Sequence, residues 1–200
     1  HPFPAAIDDS LTAWQALISR HPGPPPCVAG ESAGGNLALL LCQRLRDLGL
    51  TRPGRAWLLS PWLDIALASE DHGPDFQEDL MLGPDAPAAR DWVRLRFSAA
   101  YAPGLQLDDP SLSPVNGRLD GLPPLFVQAG SNEIFAADSL RLQQRASAVG
   151  SDVTLEVWRG MPHAFAFFTP WLPEGRSALR RAGHWLRHAQ PAAHDAISPL

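Results

Sequence analysis

The sequence predicts an α/β fold: a mostly parallel sheet flanked by helices. Three observations carry that expectation. Short apolar runs alternate with stretches of helical periodicity along most of the chain. Glycine and proline punctuate nearly every boundary between them. The side chains able to do chemistry cluster just after the apolar runs, where ligands bind at the carboxyl edge of such sheets.

Taken in order, Asp9 to Ser19 reads as a helix. Leu11, Trp14, Leu17 and Ile18 lie on one face, and Asp9 or Ser10 is suited to cap it. The run His21-Pro22-Gly23-Pro24-Pro25-Pro26 stops it. Cys27-Val28-Ala29 is a candidate buried strand, and Gly30 to Gly35 a glycine-rich turn. Asn36 to Leu48 is a helix with Leu37, Leu41, Leu45 and Leu48 on one face, closed by Gly49. Ala56 to Leu59 is a second buried strand. The text from Pro61 to Asp85 is loop-rich and acidic. Pro87 to Tyr101 is predicted helical, with Trp92, Leu95 and Phe97 as its apolar content. Pro103 to Pro124 reads as loop. Leu125 to Ala129 is a strand ending at Gly130, and Ala136 to Val149 a helix closed by Gly150. Val153 to Trp158 alternates as a strand, and Glu174 to Ala189 is the last helix. The tail from Gln190 reads as disordered. The expected organisation is one unit over 1–189 and a tail over 190–200.

Composition excludes several functions. With 200 residues, 45% of them hydrophobic, the chain can bury one sizeable core. A net charge of −5 argues against a nucleic-acid partner. No apolar run reaches the ~18 residues of a membrane span. All 16 basic residues are arginine, so a Schiff-base lysine, a phosphate-loop lysine and a Ser-Lys dyad are excluded. Twenty-one prolines imply many short elements joined by stiff loops. Cys27 and Cys42 are too few for a disulfide scaffold and read as buried thiols. The chain starts at His1 without Met or a secretory segment, so a processed, truncated or fragmentary start is the expectation; the location expected is cytoplasmic.

Gly30-Glu31-Ser32-Ala33-Gly34 matches G-x-S-x-G between a strand and a helix. A turn that tight strains the central residue and demands small neighbours two positions away on either side. It also sets the serine hydroxyl above the sheet edge, at a helix N-terminus where negative charge is favoured. The Ala33 N–H would face a developing oxyanion.

A serine hydroxyl needs a base to take its proton. Of seven histidines, His163 follows a late strand and reaches the same edge as Ser32; the others fall in tails, remote loops or the last helix. The acid that orients the imidazole should follow the strand Leu125–Ala129, where Glu133 and Asp138 are available. Glu133, nearer the strand end, is favoured, and Asp138 is expected to cap or begin the next helix. The order Ser32, Glu133, His163 is that of an α/β-hydrolase.

The chain resembles the hormone-sensitive-lipase-like esterases of the α/β-hydrolase superfamily. The resemblance rests on five blocks in order: His1 to Asp9, Gly30 to Ala38, Ser60-Pro61-Trp62-Leu63-Asp64, Leu122-Pro123-Pro124-Leu125 with Gly130-Ser131, and Gly160-Met161-Pro162-His163-Ala164-Phe165. It implies the α/β-hydrolase fold lacking its first strands, and short to medium acyl esters as substrates. Two departures stand out. The family usually has Asp where this chain has Asn132, so Glu133 must take over or the triad is weakened. The family also has an upstream H-G-G-G loop that completes the oxyanion hole, and no such text occurs in this chain.

Trp62, Phe135, Phe165, Phe167 and Phe168 follow strand ends, and could line an acyl pocket or pack loops onto the core. His184 and His188, four apart, have the spacing of a zinc pair, but no third ligand is evident, and they read as a solvated face. Arg176, Arg180, Arg181 and Arg187 read likewise. Glu70, Asp71, Glu78 and Asp79 are too scattered for a calcium loop. The expected function is a serine carboxylesterase with no metal or organic cofactor, acting on a small-molecule ester. A homodimer is compatible with this reading. The competing readings are a non-catalytic ligand-binding member, an inactive fragment of the same fold, and a peptidase.

Overall fold

A computed structural model describes residues 1–67, 79 and 91–188. The expected tail over 190–200 and most of the acidic stretch before residue 91 lie outside the described residues. Among the described residues four strands, β1 (Val28–Glu31), β2 (Ala56–Leu59), β3 (Leu125–Asn132) and β4 (Val153–Pro162), form one sheet in the order β1-β2-β3-β4. Every pairing is parallel. Parallel neighbours need crossovers. The helices α1 (Ala5–Arg20), α2 (Ala33–Asp47), α3 (Ala136–Ala148) and α4 (Pro173–Arg187) surround the sheet.

Strand alternation divides the core in two. Ala56, Leu58, Leu125 and Val127 pack with Ala38, Leu39 and Cys42 of α2 and with Leu142 and Ala146 of α3. The opposite face carries Leu59, Phe165 and Ala178 of α4, joined by Trp57 and Trp158. There Phe126 stacks on Trp185 of α4. The buried amide of Gln128 is satisfied on this face: it donates to Glu156 and to the Ala178 carbonyl, and accepts from the Trp57 indole. Both faces of the sheet are therefore covered, as an all-parallel sheet requires.

Helix α2 buries more than one face. Leu40, Leu41 and Leu45 turn away from the sheet and meet Ile7 and Trp14 of α1. This explains why its apolar content is wider than a single stripe, and why Leu48 of the expected face is exposed. Gly49 closes the helix as expected. It has φ +65°, and the next N–H, of Leu50, reaches back to the Leu45 carbonyl at 2.8 Å.

Several boundaries differ from the sequence reading. α1 starts at Ala5 after Pro4, so Asp9 and Ser10 lie inside it and cap nothing; the Ser10 hydroxyl bonds back to the Ala6 carbonyl. β4 runs on to Pro162, which turns the expected loop before His163 into strand. Cys27 is exposed just before β1, whereas Cys42 is buried and its thiol is pushed up to about 12 by desolvation. Residues 91–101 are helical, with a π-helical turn at Arg94–Ser98. This segment buries Val93 and Ser98 and leaves Trp92, Leu95 and Phe97 at least half exposed. The apolar content noted from the sequence is thus not what this helix buries. Among the described residues no helix is long and apolar enough to cross a membrane.

Candidate active site

Ser32 sits between β1 and α2 with φ 53° and ψ −120°. This is a strained conformation for a residue with a side chain. Backbone bonds hold it there: its N–H donates to Leu59, and its carbonyl accepts from Gly35, Asn36 and Trp62. Glycine is required at two nearby positions. A Cβ on Gly30 would lie 2.1 Å from the Gly34 carbonyl oxygen, and one on Gly35 would lie 2.7 Å from the Pro61 side chain. A Cβ on Gly34 would meet nothing within 4 Å. The requirement expected two residues after the serine therefore falls three residues after it.

β3 and β4 carry the other two groups to this edge. His163 Nε2 lies 3.0 Å from Ser32 Oγ, and Nδ1 lies 3.0 Å from Glu133 Oε2. Glu133 is fully buried. Burial raises its pKa, while bonds with His163, Ser60 and the Gly130 N–H oppose the rise. His163 is pushed up to about 9: burial lowers it, but Glu133 and Glu31 outweigh the burial. In the neutral ring, with the Nδ1 proton held by Glu133, the lone pair on Nε2 is directed at the serine hydroxyl. The arrangement can take a proton from Ser32 and stabilise the imidazolium that results.

A close approach of strands makes this placement possible. A Cβ on Gly130 would fall 2.0 Å from the Met161 carbonyl oxygen. The β3–β4 register shifts between Gly130 and Asn132. Asn132 pairs with Pro162, and its amide oxygen accepts from Ser131 Oγ at 2.6 Å. The carboxylate beside the imidazole is that of Glu133, the residue after Asn132.

A cavity of about 280 Å³ opens on Ser32 and His163. Ala33 lines it from the first position of α2, where helical N–H groups have no intrahelical acceptor. Trp62 and Phe135 form one wall, stacked at 5.3 Å between ring centroids. Phe135 also meets the His163 ring edge-to-face at 5.0 Å. Val93, Trp92, Phe97, Ile134 and Asp79 complete the lining.

The profile of the α/β-hydrolase fold matches residues 1–167. The chain belongs to the α/β-hydrolase family. It is 39% identical over 191 residues to an acetyl-hydrolase of Streptomyces hygroscopicus, covering 94% of this chain and 61% of that protein. An esterase of Acinetobacter venetianus is 36% identical over 180 residues, covering 90% of this chain and 57% of that protein. The backbone superposes on a crystal structure of an esterase from the bacterial hormone-sensitive lipase family. The TM-score is 0.84 at 35% identity, over 94% of this chain and 61% of that one. An esterase/lipase from an uncultured bacterium gives 0.83 at 34% identity, with the same coverages. The chain thus spans about three fifths of the length of these family members.

Against this family background, some expectations are corrected. Phe165 does not line the cavity. Ala164, at φ 56°, turns the chain after His163, and Phe165 is buried against Leu59, Ala166 and Ala178. Phe167 is exposed, and Phe168 borders on exposure. Asp138 begins its helix, in the first turn of α3, but does not cap it. Its Oδ2 accepts the N–H groups of Leu63 and Asp64, at 2.7 and 2.9 Å. His184 of α4 and His188, just past its end, are both exposed, in line with the expected solvated face, with their rings 4.4 Å apart.

Other residues at the site were missed. Ser60 is fully buried at φ 45°; its Oγ accepts the Ala164 N–H at 3.0 Å and bonds Glu133. It therefore ties Glu133 to the segment bearing His163. The S-P-W-L-D block marked it in sequence, though not in that role. Asp79 accepts the Ile134 N–H at 2.9 Å across 55 positions, a pairing with no local signal. Glu70, Asp71 and Glu78, weighed with it, lie outside the described residues.

Proposed function

We propose that this chain is the part of a serine carboxylesterase that bears nucleophile, acid and base, and that it cleaves short-acyl esters through an acyl-enzyme. The observation that carries the reading is the continuous link Ser32 Oγ–His163 Nε2, His163 Nδ1–Glu133, with both contacts at 3.0 Å. His163 takes the serine proton as Oγ attacks the ester carbonyl. The Ala33 N–H donates to the oxyanion, and His163 returns the proton to the departing alcohol. Water, deprotonated by the same imidazole, then releases the acid and frees Ser32. The acetyl-hydrolase and esterase names of the relatives support ester hydrolysis. The small, aromatic-walled cavity supports short acyl groups.

Treatment with a fluorophosphonate tests the reading. The expected result is one label on Ser32, absent after Ser32→Ala, and p-nitrophenyl acetate cleaved faster than long-chain esters or peptide anilides. Failure to label Ser32 would overturn it in favour of a ligand-binding member or an inactive fragment of the same fold.

A further inference from the structure

Among the described residues, two carboxylates face His163. Glu133 holds Nδ1, but the other nitrogen is also close to an acid. Glu31, the last residue of β1 and the x of the G-x-S-x-G turn, places Oε1 3.4 Å from Nε2. Ser32 Oγ contacts that same nitrogen at 3.0 Å. In the neutral ring Nε2 carries a lone pair, which Glu31 repels. In the imidazolium it carries a proton, which Glu31 attracts. The contact therefore discriminates between the two protonation states of the base.

We propose that Glu31 is a positioning residue that stabilises the protonated form of His163 from the serine side. This deepens the esterase reading and rests on it for its catalytic consequence. Each group around the ring has a separate part. Glu133, after β3, faces Nδ1, and Ser32 faces Nε2. Phe135 covers the ring edge-to-face. Asp79 lines the same cavity and accepts the Ile134 N–H through Oδ2. Glu31 is the half-buried acid of the set, and its charge is partly screened by water, so its effect is expected to be moderate.

The two forms of the base give the proposal a kinetic signature. The transition state carries an imidazolium. At high pH the resting enzyme is neutral there, so removing Glu31 costs transition-state stabilisation alone. Below the His163 pKa the resting enzyme already carries the same charge, and the cost cancels. Glu31→Gln should lower the acid-limb pKa of kcat/KM by roughly one unit and the plateau by roughly tenfold. The wild-type and variant curves should converge at low pH. A purely structural role would lower the rate by one factor at every pH.

The deciding experiment is a paired one. NMR titration of the His163 imidazole in wild type and Glu31→Gln reads the coupling without any turnover, and the pH profile of p-nitrophenyl acetate cleavage reads its use. A downward shift of the titration, partly restored in Glu31→Asp, supports the proposal. An unmoved titration overturns it, as does a rate loss that is uniform with pH. A shifted titration in a wild-type chain that neither labels nor hydrolyses would leave the Glu31–His163 coupling standing and remove the esterase reading.

Discussion

At the scale of single residues, the site is governed by how burial and neighbouring charge set the base. The His163 imidazole lies on the alkaline side of an ordinary histidine because two carboxylates outweigh its desolvation. Only the neutral ring can accept the serine proton. The rate of p-nitrophenyl acetate cleavage should therefore keep rising with pH beyond neutrality and level off near pH 9. Glu133→Gln should move that limb to lower pH and cut the plateau by about 10²–10⁴-fold, since an amide can hold the ring but cannot compensate its charge. A pH-rate profile of the two proteins checks both effects. Glu133 was reachable from sequence because it lies three residues past Gly130, where the expected strand ends, and so nearer that end than Asp138. Ser60 and Glu31 were not, because their roles depend on which atoms meet across strand ends.

At the scale of elements, two devices bring the strand ends together. The first is glycine at backbone crossings. Gly130→Ala should destabilise the fold markedly or abolish it, because its Cβ would enter the Met161 carbonyl. Gly34→Ala should remain folded within about 1 kcal/mol, since that position faces open space. Denaturant titration of the pair separates the cases. The second device is the anchoring of the loop after β2 to α3 by Asp138. Asp138→Ala would strand two buried N–H groups and should cost roughly 2–4 kcal/mol. Asp138→Asn, which keeps an acceptor, should cost less and leave ester turnover near wild type. Loss of turnover in the Asn variant, with the fold intact, would transfer the acid role from Glu133 to Asp138. Strand and helix existence was legible from periodicity. The end of β4 was not, because nothing in Arg159–Pro162 signals that β3 continues alongside it.

At the scale of the whole molecule, the same three groups couple stability to pH. Asp138 is pushed up to about 7 by burial and by Asp64, Glu133 is raised by burial, and His163 reaches about 9. Each binds its proton more tightly folded than unfolded. For the two acids this stabilisation is full below their ordinary values and is lost as pH climbs through the folded ones. For His163 it is present below about 6.5 and is lost as pH passes about 9. Thermal midpoints should therefore fall between pH 6 and pH 9, and Asp138→Asn should flatten the lower part of that fall. A midpoint rising across this window would contradict the assignment.

The sequence by itself determined the alternation of strands and helices, the parallel sheet, and the identity of the residues after each strand. These follow from periodicity and turn chemistry, which act over a few neighbours. Tertiary structure alone decided that the Ser32 hydroxyl and the His163 ring stand 3.0 Å apart across 131 positions, that Glu31 shares the same ring nitrogen, and that Phe165 turns into the core while Trp62 and Phe135 line the cavity. Those outcomes depend on ångström-scale register between strands and on backbone contacts at Gly30, Gly35 and Gly130, where the deciding partners are distant in the chain.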